Sequence, residues 1–90
     1  MRYYATILAE KNIRINTVHP SVVATPMAIN PQADQYLAEN PEWATAMRNL
    51  LPIPILEVED VTAAMVYLCG QSGRYITGST LVVDAGFGTK

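Results

Sequence analysis

Basic charge is scarce in this chain: Lys and Arg number six against eight Asp and Glu, for a net charge of −2. That balance leaves no basic stripe for nucleic acid and no polybasic patch for a membrane surface. Cysteine is nearly absent as well. Cys69 stands alone, so no internal disulfide can form, and a reducing compartment such as the cytoplasm fits best. No apolar run approaches the ~18 residues of a membrane span. "MRYYATILAEKN" reaches Glu10 and Lys11 without the small-residue cleavage site of a signal peptide. Carboxylates are scattered and there is no Cys/His cluster, so metal binding has no support. Repeats and low-complexity tracts are also missing. What is present is a globular composition: half of the 90 residues are hydrophobic, enough for one thin-cored domain at most.

The spacing predicts a helix over "MRYYATILAEKN", with Met1, Tyr4, Ala5 and Leu8 on one face. It has no N-cap before Met1, which suggests a chain cut from something longer. "IRINTV" alternates and predicts a strand from Ile13 that ends at His19, because Pro20 cannot donate to a ladder. Six prolines, at 20, 26, 31, 41, 52 and 54, then punctuate a long connection in which "DQYLAEN" and "EWATAMRNLL" read as short helices. "LEVEDVTAAMVYLCG" is the second strong helix. Val58, Val61, Met65 and Leu68 recur on one face, Glu57, Glu59 and Asp60 sit at the positive end of its dipole, and Gly70 is its stop. "STLVVDAG" closes the chain as a strand. Both strands follow helices, the grammar of a doubly wound parallel α/β sheet with only two strands present. Two strands are not an independently stable sheet.

In open parallel sheets, ligands sit beyond the carboxyl ends of the strands. The stretch "HPSVVATP" after the first strand is therefore at a ligand edge. If Pro20 turns the chain there, the backbone groups of Ser21, Val22 and Val23 are freed to pair with a ligand amide. Thr25 adds a hydroxyl suited to a carboxamide or phosphate oxygen. An ordinary polar loop is the equally open reading. Cys69 reads as a buried inert thiol, His19 as a locally bonded strand-end residue, and Asp84 as a strand-end acceptor. Arg74 and Tyr75 read as anchors of the turn before the last strand, and Tyr3 and Tyr4 as packing or interface residues.

The ordered set "NIRINTVHPSVVATPM", "EVEDVTAAMVYLCG" and "YITGSTLVVDAG" resembles the short-chain dehydrogenase/reductase family along essentially the whole chain, as its C-terminal portion. "HPSVVATPM" with "LPIPILEVEDV" is similar to the mycofactocin-coupled subgroup that includes carveol-dehydrogenase-like proteins. The resemblance implies a Rossmann-type fold, of which two helices, two strands and a substrate lid over residues 27–56 are present. It implies NAD as cofactor, with NADP the alternative, and a cofactor loop of Pro20, Ser21, Val22, Val23 and Thr25. On that reading the Val23 main chain holds the carboxamide. Thr25 takes its oxygen or the pyrophosphate. Ser21 stands where the family has glycine, a residue more tolerant of positive φ. Met27, Trp43 and Met47, with Ile29, Leu37 and Leu50, read either as the small core of a helical excursion or as a cover over a lipophilic alcohol or ketone.

The family's Tyr-x-x-x-Lys pair is missing from these residues. Tyr3, Tyr4, Tyr36, Tyr67 and Tyr75 meet Ile7, Leu8, Asn40, Gln71 and Ser79 four residues on, and no G-x-x-x-G-x-G occurs. The expectation is therefore part of a cofactor site and a lid, with no catalytic residue. The resemblance also implies a homotetramer. A non-catalytic fragment that serves only as an oligomerisation or interaction module is the rival reading.

Overall fold

The computed structural model describes Met1–Lys90 in full. Helix α1 (Arg2–Leu8) runs on into a 3₁₀ turn, Ala9–Lys11, and Asn12 ends it in the left-handed conformation at φ 57°, which asparagine tolerates better than most residues. Strand β1 (Thr17–Pro20) follows. Two helices, α2 (Pro31–Glu39) and α3 (Pro41–Ala46), make up the excursion. Helix α4 (Val58–Cys69) then leads through a 3₁₀ turn to strand β2 (Thr80–Val83). β1 and β2 pair in parallel, with Thr17 opposite Thr80 and Pro20 opposite Val83. Helix α4 packs on both strands. The α/β class, the element order and the parallel pairing match the reading of the sequence.

The boundaries differ in ways that have physical causes. β1 begins four residues later than the alternation predicts and includes Pro20. The backbone of Ile15 is engaged by the turn before β2 instead: its N–H donates to Thr77 Oγ1 and its carbonyl accepts from Gly78 N–H. Pro20 is tolerated because the donors to β2 are alternate residues, Thr17 to Ser79 O and Ser21 to Val83 O, so its missing N–H breaks no bond of the ladder. α2 starts three residues early. Asn30 caps it, accepting from Ala33 N–H at 2.8 Å, and Pro31 fills the first helical position, where proline's missing N–H costs nothing. α3 stops at Ala46, well short of Leu51. Helix α4 carries a capping box: Asp60 Oδ2 accepts from the Glu57 N–H, and the Asp60 N–H in turn donates to Glu57.

Only Ala5, Leu56, Leu68 and Gly73 are buried. On α4 the covered line is Val61, Ala64 and Leu68, whereas Val58 and Met65 of the predicted face are exposed. Cys69 is exposed rather than buried. The chain is long and narrow, 52 × 23 × 23 Å, with a radius of gyration of 16.5 Å against about 12 Å for a compact domain of this length. Its accessible surface, 6791 Å², exceeds that of a compact monomer of its mass by roughly 1,600 Å². That surplus is the size of a complete protein–protein interface. The elements are correct in type and pairing, but they leave their apolar faces open.

Candidate functional site

The carboxyl ends of β1 and β2 lie on the same edge, and the chain turns there twice. After β1, Ser21 keeps the ladder going for one more bond, its N–H donating to Val83 O at 3.2 Å, and its hydroxyl donates to Asp84 O. Val23 then forms a parallel bridge with Leu56, through Leu56 N–H to Val22 O at 2.9 Å and Ala24 N–H to Leu56 O at 2.8 Å. This bridge is the neck of the excursion. The chain leaves at Thr25, builds α2 and α3, and returns at Leu56, one of its few buried residues.

The bridge corrects one expectation. The backbone of Ser21–Val23 is not free as a whole, because Val83 and Leu56 take the Ser21 N–H and the Val22 carbonyl, and Thr25 N–H donates to the Val23 carbonyl. Among the groups that stay unpaired within the chain are the N–H of Val22, the N–H of Val23 and the Thr25 hydroxyl, together with the Ser21 carbonyl. Val22, Val23 and Thr25 are half-buried and line an open cavity, so these donors are free to meet water or a ligand.

Between this turn and the excursion lies a cavity of about 1020 Å³, the upper end of the range for small-molecule sites. Pro20, Ser21, Val22, Val23 and Thr25 all line it, with Met27 and Met47 from the excursion and Phe87 from the turn after β2. The lining is mainly apolar, and Asp34 and Arg48 are its charged members. Asn30 positions the Met27 side: its Nδ2 donates to the carbonyls of Pro26 and Met27 at 3.0 and 3.1 Å while its Oδ1 caps α2. Met27 is 91 % exposed, so it borders the cavity without packing into a core. Trp43 departs from the expectation: it is half exposed and stands outside the lining. Phe87, Asp34 and Arg48 were missed by the sequence reading, because the spacing of residues on α2 and beyond β2 carries no sign of what they face.

The remaining candidates have local roles. His19 Nε2 is 3.0 Å from Thr17 Oγ1. Asp84 accepts from the N–H groups of Gly86 and Gly88 through its two carboxylate oxygens, holding Gly86 at φ 83°. Arg74 donates to Gln71 O and stacks 4.7 Å from the Tyr75 ring centre. No group of His, Cys, Asp and Glu is placed to hold a metal ion, and no helix is long and apolar enough to cross a membrane.

A parallel strand edge with a proline turn, a returning excursion and an apolar cavity between them has relatives. The family described as enoyl-(acyl carrier protein) reductase matches residues 1–88. The chain belongs to the short-chain dehydrogenase/reductase family. An uncharacterized oxidoreductase of Mycobacterium tuberculosis is 42% identical to it, across 100% of this chain and 34% of that protein. The (-)-trans-carveol dehydrogenase of Rhodococcus erythropolis is 39% identical, across 96% of this chain and 34% of its own length. Among solved structures, the carveol dehydrogenase of Mycobacterium avium in complex with NAD superposes with a TM-score of 0.88 at 33% identity, covering 100% of this chain and 35% of that one. The chain thus spans about a third of the length of the dehydrogenases it matches, as the C-terminal portion of their Rossmann-type fold.

Proposed function

We propose that this chain is the part of a nicotinamide-dependent short-chain dehydrogenase that holds the nicotinamide end of the cofactor and covers the substrate. The observation that carries the reading is the Ser21–Thr25 turn. It sits at the carboxyl edge of a parallel sheet, lines an apolar cavity, and keeps the Val22 and Val23 N–H groups and the Thr25 hydroxyl without partners. Three spare donors carried by residues that line a largely apolar space suit a carboxamide or phosphate oxygen, so the residues fit the cofactor. The Val23 N–H would take the carboxamide oxygen, and Thr25 would take a second cofactor oxygen. When bound, NAD or NADP supplies the hydride acceptor or donor. NAD is favoured by the complexes of the related carveol dehydrogenase and of a short-chain dehydrogenase from Mycobacterium paratuberculosis.

The substrate class is a small lipophilic secondary alcohol or ketone. The apolar lining contributed by Met27, Ile29, Leu37 and Met47 supports it, as does the similarity to carveol dehydrogenases. Within the family we place the chain in the mycofactocin-coupled subgroup, acting in the cytoplasm as a homotetramer. The proton-transfer pair of Tyr and Lys would lie outside these residues, so their task is to position and to exclude water. The rival, an interaction module without catalysis, draws on the surplus of accessible surface, and it applies to the 90-residue chain taken alone. Calorimetric titration of the full-length protein with NAD, followed by NADH formation with a panel of secondary alcohols, tests the reading. Binding of NAD with turnover of at least one lipophilic alcohol is expected. Failure to bind either nicotinamide cofactor would overturn it.

A further inference from the structure

The segment after β2 does more than end the sheet. Asp84 folds it back by taking the Gly86 and Gly88 N–H groups, so that Phe87 forms one wall of the cavity. Three contacts then tie this segment to the excursion. Leu51 N–H donates to Ala85 O at 2.9 Å. The Leu50 side chain lies so close to Gly86 that a Cβ there would come within 2.7 Å of the Leu50 Cβ. Lys90 Nζ donates to the carbonyl oxygens of Ala46 and Arg48, and it sits 4.5 Å from the centre of the Phe87 ring.

Ala46 is the last residue of α3, and helix ends leave carbonyls without intrahelical partners. A cation there meets both those oxygens and the negative end of the helix. Lys90 thus joins three things: the end of α3, the Arg48 main chain at the cavity rim, and the aromatic wall. The rest of the excursion has little else to hold it down. α2 and α3 bury no residue, and the Val23–Leu56 neck fixes only the two points where the excursion leaves and returns.

We propose that the segment Ala85–Lys90 is a latch that sets how firmly the excursion closes over the cavity, with Lys90 as the positioning residue and Phe87 as the wall against which it closes. Lys90 does not line the cavity; it acts through α3 and Arg48. Loss of its ammonium frees the α3 end, loosens the cover and weakens capture of the substrate, while the cofactor turn at Ser21–Thr25 is untouched. The kinetic half of this proposal rests on the dehydrogenase reading above; the structural half does not.

The test uses the full-length protein and the variants Lys90→Met, which keeps the stem and removes the charge, and Lys90→Arg, which restores it. Hydrogen exchange resolved to the 43–51 segment is the first readout. Lys90→Met should exchange there roughly three- to tenfold faster, as expected for losing the solvent-exposed bonds of one ammonium to two carbonyls, and Lys90→Arg should return toward the unmodified rate. The second readout is the split between KM and kcat. In Lys90→Met the KM for the alcohol should rise by a similar factor, with kcat and the NAD dissociation constant unchanged. Equal exchange in the unmodified protein and Lys90→Met, or a loss confined to kcat, overturns the latch. Faster exchange in Lys90→Met in a protein with no turnover would sustain the latch and count against the dehydrogenase reading alone.

Discussion

Replacing Asn16 with Ala is the perturbation that most directly probes how the two halves of the sheet are joined. Asn16 lies just before β1, and its amide reaches the turn before β2: Nδ2 donates to Ile76 O at 2.9 Å and Oδ1 accepts from Ser79 N–H at 3.0 Å. Arg14 Nη1 also donates to Ile76 O, at 3.0 Å, so that carbonyl keeps one partner in the variant. Ser79 is exposed, and water can reach its N–H. The loss is therefore two net hydrogen bonds without a stranded buried group, about 1–3 kcal/mol in total. In an enzyme of ~250 residues each kcal/mol moves the melting temperature by about 2–4 °C, so a fall of about 2–12 °C is expected by scanning calorimetry. Thr6→Ala is the control, because the Thr6 hydroxyl makes one exposed bond to Arg2 O within α1, and alanine improves the helix. Adding Arg14→Ala to Asn16→Ala strips Ile76 O of both its side-chain donors, so the double variant should lose more than the two single losses combined. If Asn16→Ala moves the transition no more than Thr6→Ala does, the amide bridge is not what holds β1 to β2.

The site and the fold give further tests. Thr25→Val in the full-length enzyme keeps the shape and removes one hydroxyl; the NAD dissociation constant should rise several-fold, at about 0.5–1.5 kcal/mol for the lost bond, and an unchanged value takes Thr25 out of the site. Gly73→Ala places a Cβ 2.5 Å from Tyr67 O and 2.7 Å from Leu68 O, both main-chain atoms at the end of α4. It should cost about 1–3 kcal/mol or prevent soluble expression, and a variant as stable as the parent would contradict the packing of that turn. The 90-residue chain alone should turn over no alcohol with NAD; activity that a substitution within the chain abolishes would refute the reading that the catalytic pair lies outside it. Val66→Asp with Val82→Asp alters exposed positions on α4 and β2. It should split the full-length assembly by light scattering, and an unmodified full-length protein that runs as a monodisperse monomer would refute the tetramer.

Much of the fold was legible because its signals are local. Alternation over "IRINTV" and the apolar run of "STLVVDAG", each following a helix, pointed to parallel strands, and Gly70 marked the end of α4. Strand and helix boundaries were less legible. The start of α2 depended on the Asn30 cap and Pro31, and the start of β1 on the Thr77 hydroxyl and Gly78 N–H, which lie more than sixty residues away along the chain.

By itself the sequence determined the order of elements, the proline turn at the strand edge and the family resemblance, since each rests on residues adjacent in the chain. Only the tertiary structure decided which donors at that turn are spare. The Val23–Leu56 bridge consumes some of them and leaves the Val22 and Val23 N–H groups and the Thr25 hydroxyl, and no local pattern encodes a pairing across the whole excursion. It also decided that Phe87 is a cavity wall, that Trp43 is not, and that Lys90 reaches back to α3. Those facts depend on where two distant segments meet in space. That is set by the packing of α4 against the sheet and by the register of β1 on β2.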